Sequence, residues 1–184
     1  MQQETLEGLL VECLRDIYDA EKQIVKALPK MIKGASNADL KAGLSNHLEE
    51  TKEQVSRLEQ AFEILGEPAK SKPCKGMRGL LDEGSELLSE EEPGVMLDLS
   101  IIGAAQKVEH YEISAYGTAR TIAEKVGNQK VAKLLRKTED EEKAADSKLT
   151  DVAFELYGAE EAAADDEMEN KTGRKTAGLV NSRR

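Results

Sequence analysis

The sequence predicts an all-α fold, a bundle of four long helices in two antiparallel hairpins, and three observations carry that expectation. Apolar residues recur at three- and four-residue steps over four long stretches. Glycine-containing turns separate the first stretch from the second and the third from the fourth, and a proline-broken crossover joins the two pairs. With 184 residues, 39% of them apolar, the chain can fill one domain and is too short for two ordinary ones.

The first helix is expected from Thr5 to Lys33, striped by Leu6, Leu10, Cys13, Ile17, Ile24, Leu28 and Met31. Gly34 supplies a stop. Ser36, with Asp39 three residues on, reads as a capping-box start, so a second helix should run from Asn37 to Leu65 before Gly66 and Pro68 end it. So short a turn makes the two helices antiparallel.

The segment EPAKSKPCKG breaks the pattern, GMRGLLDEGSELLS permits a short helix, and SEEEPG breaks the chain again. Pro93 can serve in the first turn of the third long helix, whose stripe runs through Val95, Leu99, Ile102, Gln106, Ile113 and Tyr116 toward Val126. Gly127 and Asn128 turn the chain into the fourth, striped by Val131, Leu135, Thr138, Ala145, Leu149, Val152 and Leu156 and stopped at Gly158. Two long hairpins joined by an extended crossover match the ferritin-like version of the four-helix bundle. The bundle is therefore expected over residues 1–158, with 159–184 a charged tail, mobile or docked.

The net charge of −10, with no basic stripe before residue 158, would repel a polyanion, and six aromatics without Trp offer no stacking platform. No nucleic-acid partner is expected. Cys13 and Cys74 lack metal-site or disulfide spacing, and Cys13 falls on the apolar stripe as a small buried hydrophobe. The first residues do not read as a secretory signal, and nowhere does an apolar run reach membrane-spanning length. A cytoplasmic protein without a membrane partner is the expectation. Phosphate loops, nucleophile elbows and catalytic triads are likewise missing from the sequence.

Each long helix carries a glutamate on its apolar stripe: Glu21, Glu50, Glu109 and Glu142. Counted from the turn at Ala35, Glu21 is fourteen residues before and Glu50 fifteen after. Counted from Gly127, Glu109 is eighteen before and Glu142 fifteen after. A rise of about 1.5 Å per residue brings the members of each pair to nearly the same depth. Carboxylates gathered in a bundle core need protons or cations, and two divalent metals are the simplest solution. The Glu-x-x-His element of di-iron bundles is absent, since Glu53 and Ala145 stand where its histidines would be. His47, three residues before Glu50, is the replacement candidate, with His110, Glu112, Gln54 and Asp146 within reach of the same faces. Tyr18, Tyr111 and Tyr116 read as core tyrosines with satisfied hydroxyls.

The segments DIYDAEKQ, HLEETKEQVSRLE, AAQKVEHYEISAYGT and EDEEKAADSKLT closely resemble the YciE/YciF family of bacterial ferritin-like, stress-associated proteins, over residues 4 to 157 and in the same order. The resemblance implies a homodimeric ferritin-like bundle. It puts candidate metal carboxylates at Glu21, Glu50, Glu109 and Glu142, with His47, Glu112 and Asp146 also matching its motif segments. An oxygen-rich shell of this kind suits iron(II) or manganese and a small oxidant such as O2 or peroxide. The alternative is a metal-free helical dimer, its core carboxyls protonated or hydrogen-bonded, acting as a structural stress protein or binding an unidentified protein partner.

Overall fold

Where a cap is available the periodic stretches close into helices, and the computed structural model describes them over residues 5–180, with side chains for residues 5–160. There are five: α1 (Leu6–Gly34), α2 (Ala38–Leu65), α3 (Lys75–Glu90), α4 (Val95–Lys125) and α5 (Gln129–Val180). The described residues contain no strand, and no described helix is long and apolar enough to cross a membrane.

The Thr5 hydroxyl opens α1 by accepting from the Gly8 N–H at 3.0 Å. The cap of α2 is Asn37, whose side chain accepts from the Leu40 N–H, and not the expected Ser36. Ser36 instead gives its backbone N–H to a partner far away in sequence. Buried Asp98, in the first turn of α4, accepts from the N–H groups of Ser36 and Asn37 at 2.6 and 2.8 Å. One carboxylate thus satisfies two donors of the α1–α2 turn and pins it to α4.

At the other end, Gly66 closes α2 in the left-handed conformation (φ 69°), and Gly127 does the same work between α4 and α5 (φ 77°). Pro93 lies ahead of the α4 cap, Gly94, and so outside the first turn where it was expected. The crossover helix α3 reaches 16 residues. The expected stop at Gly158 is not taken, because α5 runs through it to Val180. A mid-helix glycine costs about 1 kcal/mol relative to alanine, and the Ala- and Glu-rich stretch that follows is made of strong helix formers able to offset it. The packing of side chains beyond residue 160 lies outside the described residues.

Helix α1 packs against α2 and α4, and α5 packs against the same two, so the four long helices enclose a shared core. Helix α3 covers the seam between α1 and α4. Glycines allow it to come close: a Cβ on Gly84 would fall 2.5 Å from Met31 Cε, and one on Gly34 equally near Leu88 Cδ2. The segment leading into α3 is tied along α1 by the Cys74 N–H to Asp19 (2.8 Å), the Gln23 amide to the Cys74 carbonyl (3.1 Å) and the Lys72 N–H to the Arg15 carbonyl (3.0 Å).

The core is not continuous. One apolar cluster is built around Leu10, Leu14, Leu58, Phe62, Tyr116 and Leu135, and the other around Ile24, Leu44, Met77, Ile101, Ile102 and Leu149. Between them, along the middle of the long helices, lies a belt of buried polar side chains: Glu21, His47, Thr51, Gln54, Glu109, Glu112, Thr138 and Glu142.

Candidate metal centre

Every member of the belt is delivered by the inward stripe of its helix. In α5 the stripe runs Leu135, Thr138, Glu142, Ala145 and Leu149, so Glu142 has no choice but to face inward and is fully buried. In α4 the buried positions are Val108, Glu109, Glu112 and Tyr116, and not Gln106 and Ile113, which are only half-buried. The α4 sequence is apolar on several faces, and the stripe read from it was rotated by about one position. Two glutamates three residues apart therefore both enter the core. In α2 the step from His47 to Gln54 passes through Thr51, which takes the inward place and leaves Glu50 half-buried on the flank.

His47, Glu109, Glu112 and Glu142 each offer one ligand atom, and these atoms all lie within 4.8 Å of one another. Glu21 stands beside them, fully buried, accepting from the Tyr116 hydroxyl and approaching Glu112. The other two expected positions lie next to this group but outside the four atoms that converge. Glu50 lines a cleft of about 60 Å3 between α2 and α5, together with Asp39, Lys148, His47 and Glu109. Asp146 accepts from the Gln106 amide at 3.0 Å and lies 3.5 Å from exposed His110.

Electrostatically the group is unfinished. Burial, and then the neighbouring carboxylates, push Glu21, Glu109 and Glu112 well above the usual carboxylate range. Burial likewise raises Glu142 to about 7. His47 is lowered to about 4, by burial first and Lys148 second, so its ring is neutral near pH 7. It lies 3.3 Å from Glu109 Oε1 without hydrogen-bond geometry, and neither of its nitrogens has a partner. Also without partners are Glu21 Oε2, Glu109 Oε2, both oxygens of Glu112 and Glu142 Oε2. Buried polar atoms are nearly always satisfied, so this many lone pairs converging on one point fits a cation. Four carboxylates and one neutral imidazole form a hard, oxygen-rich donor set.

Two α2 side chains flank the donors and were not both anticipated from sequence. The Gln54 amide, an expected helper, donates to Glu142. Arg57, one turn further along α2 and 7% exposed, donates to Thr138 at 2.5 Å and grips Glu141 through both terminal nitrogens at 2.7 and 3.1 Å. Its charge draws Glu21 down against the other influences. The signal for Arg57 was its spacing, three residues after Gln54 on the same stripe.

Three comparisons bear on this arrangement. The family described as Domain of unknown function (DUF892) matches residues 5–169. Protein YciF of Escherichia coli (strain K12) is 44% identical over 155 residues, covering 84% of this chain and 93% of that protein. Among solved structures, the crystal structure of the E. coli stress protein YciF matches with a TM-score of 0.82 and 43% identity, covering 85% of this chain and 99% of that one. YcfI of Rhodopseudomonas palustris, described as a candidate structural protein, matches with a TM-score of 0.78 and 45% identity, covering 82% and 97%.

Proposed function

The chain belongs to the DUF892 family, and from that premise we propose that it is a cytoplasmic, stress-associated protein of the ferritin-like four-helix-bundle kind, working as a homodimer. In this reading residues 1–158 form the bundle and 159–184 a charged extension. The buried Glu/His cluster holds one or two divalent cations, iron or manganese, and acts on O2 or peroxide.

The observation that carries the metal is the convergence of unpartnered carboxylate oxygens and imidazole nitrogens within 4.8 Å. The E. coli relative's description as a stress protein supports the physiological setting. A bound iron or manganese would supply Lewis acidity and, with an oxidant, redox chemistry. The chain's own side chains do the rest. Glu109, Glu112, Glu142 and His47 would bind the cation, with Glu21 completing the set and Tyr116 fixing its orientation by hydrogen bonding. Gln54 holds Glu142 in place, and the two apolar clusters on either side keep bulk water out. Glu50, Asp39 and Lys148 line the cleft by which an ion would enter.

The test is elemental analysis of untagged protein purified without chelator, beside a Glu112→Gln, Glu142→Gln variant. About one or two equivalents of iron or manganese per chain, lost in the variant, is the expected result. Wild-type protein that stays metal-free after incubation with iron(II) or manganese(II) refutes the reading and favours the metal-free structural protein.

A further inference from the structure

A second cavity touches the cluster from another flank. It has a volume of about 30 Å3 and lies between α1, α3 and α4, meeting the cleft described above at Leu44, His47 and Glu109. Apart from that shared edge its walls are aliphatic throughout, with Ile24, Leu28 and Val108 deep inside and Met31, Leu80 and Leu81, all half-buried, on the outer side. The cleft between α2 and α5, by contrast, carries Asp39, Glu50 and Lys148. The two hollows thus differ in chemistry and share one wall, the His47–Glu109 pair.

A water molecule needs roughly 10–15 Å3 and two to four polar partners. The cavity has the room, and its His47–Glu109 wall has the polar partners for one water, but the aliphatic remainder offers none and the helix backbones around it are already hydrogen-bonded. Apolar cavities of this kind stay dry and accept small apolar molecules such as xenon. The volume excludes anything beyond a few atoms.

We propose that the aliphatic cavity between α1, α3 and α4 is a binding chamber for a small apolar gas, dioxygen by class, delivered to the His47–Glu109 wall separately from the ions entering by the polar cleft. Its outer side is lined by the unbranched Met31 side chain and the leucines of α3, half-buried groups able to shift for a diatomic molecule. The crossover helix is then a cover over the gas route as well as a connection. The proposal rests on the metal-centre reading for what the gas meets, but binding itself does not require metal.

Xenon is the reporter. Metal-free full-length protein, labelled at its Ile, Leu and Val methyl groups, is titrated with dissolved xenon and followed by NMR. Beside it are two variants that fill the cavity from different walls, Ala105→Leu and Ala27→Leu. Saturable shifts at Ile24, Leu28, Leu80, Leu81 and Val108, lost in whichever filled variants retain the native spectrum, are expected. Absence of shifts in the wild type overturns the proposal, as does their persistence in both filled variants or equal shifts at Leu14 and Leu58 in the other core half. Xenon binding by a chain that takes up no metal leaves the chamber and removes the metal centre. Metal uptake without xenon binding does the reverse.

Discussion

Replacing Glu142 by glutamine should stabilise the metal-free protein, and added metal should cancel most of that advantage. Burial is the main reason Glu142 sits at about 7 instead of 4.5, a difference of 2.5 pH units. Each unit corresponds to about 1.4 kcal/mol, so its ionised form costs about 3 kcal/mol of folded-state stability. Because the folded value lies above the unfolded one, the folded chain holds the proton more tightly. Stability from this group is complete below about pH 4.5 and is lost as pH rises through about 7.

Glutamine mimics the protonated carboxyl in shape and can still accept from Gln54. In chelator at pH 8 the Glu142→Gln chain should therefore be more stable by about 3 kcal/mol, roughly 6–12 °C in Tm for a chain of this size. At pH 5 the gain should shrink below about 1 kcal/mol. With manganese(II) at 100 times its Kd, wild type should gain about 2.7 kcal/mol and the variant, short of a ligand, much less. Differential scanning calorimetry at the two pH values, with and without metal, reads all of this. A variant that is destabilised without metal at pH 8, or stabilised equally at pH 5 and pH 8, would refute the unfinished-charge argument.

Asp98→Asn keeps the shape of the α4 clamp but leaves one acceptor oxygen for two backbone donors, Ser36 and Asn37. The urea midpoint should fall by an amount worth roughly 2–3 kcal/mol with an unchanged m-value, while metal uptake stays as in wild type. Arg57→Lys loses the two-pronged hold on Glu141 together with the bond to Thr138. Chemical denaturation should register a loss of about 1–3 kcal/mol.

Helix type and order were legible because amphipathic periodicity survives in any sequence that must bury one face of a long helix. The turns at Gly66 and Gly127 were legible for the same local reason, a left-handed backbone that favours glycine. The α2 cap was misread because Ser36 and Asn37 both cap helices well, and Asp98, sixty-two residues from Ser36, occupies the Ser36 N–H. Gly158 was misread because a glycine permits a stop without enforcing one. Within the cluster, Glu21, Glu109 and Glu142 stood out as charges on an apolar stripe. Glu50 stood out equally, yet a phase error of about half a residue moved it to the flank and put Thr51 inside. Periodicity resolves which helix carries a carboxylate better than it resolves a rotation of 40 or 50 degrees, an error of about half a residue at about 100° per residue.

The belt of polar groups across the core also decides how the molecule holds together lengthwise. Leu14 and Ile101 belong to apolar clusters with no common member, so truncating each to alanine should give effects that add within about 0.5 kcal/mol in a double-mutant cycle. What binds the upper half to the lower is the continuity of four helices and the state of charge at their midpoint. Neutralised or filled by a cation, the belt draws the helices inward. Bare and ionised, it presses them apart at mid-length, where a bundle of even composition would be firmest. With the belt bare and ionised, the weakest cross-section is thus at the centre, where a single ion or a few protons would serve as a rivet.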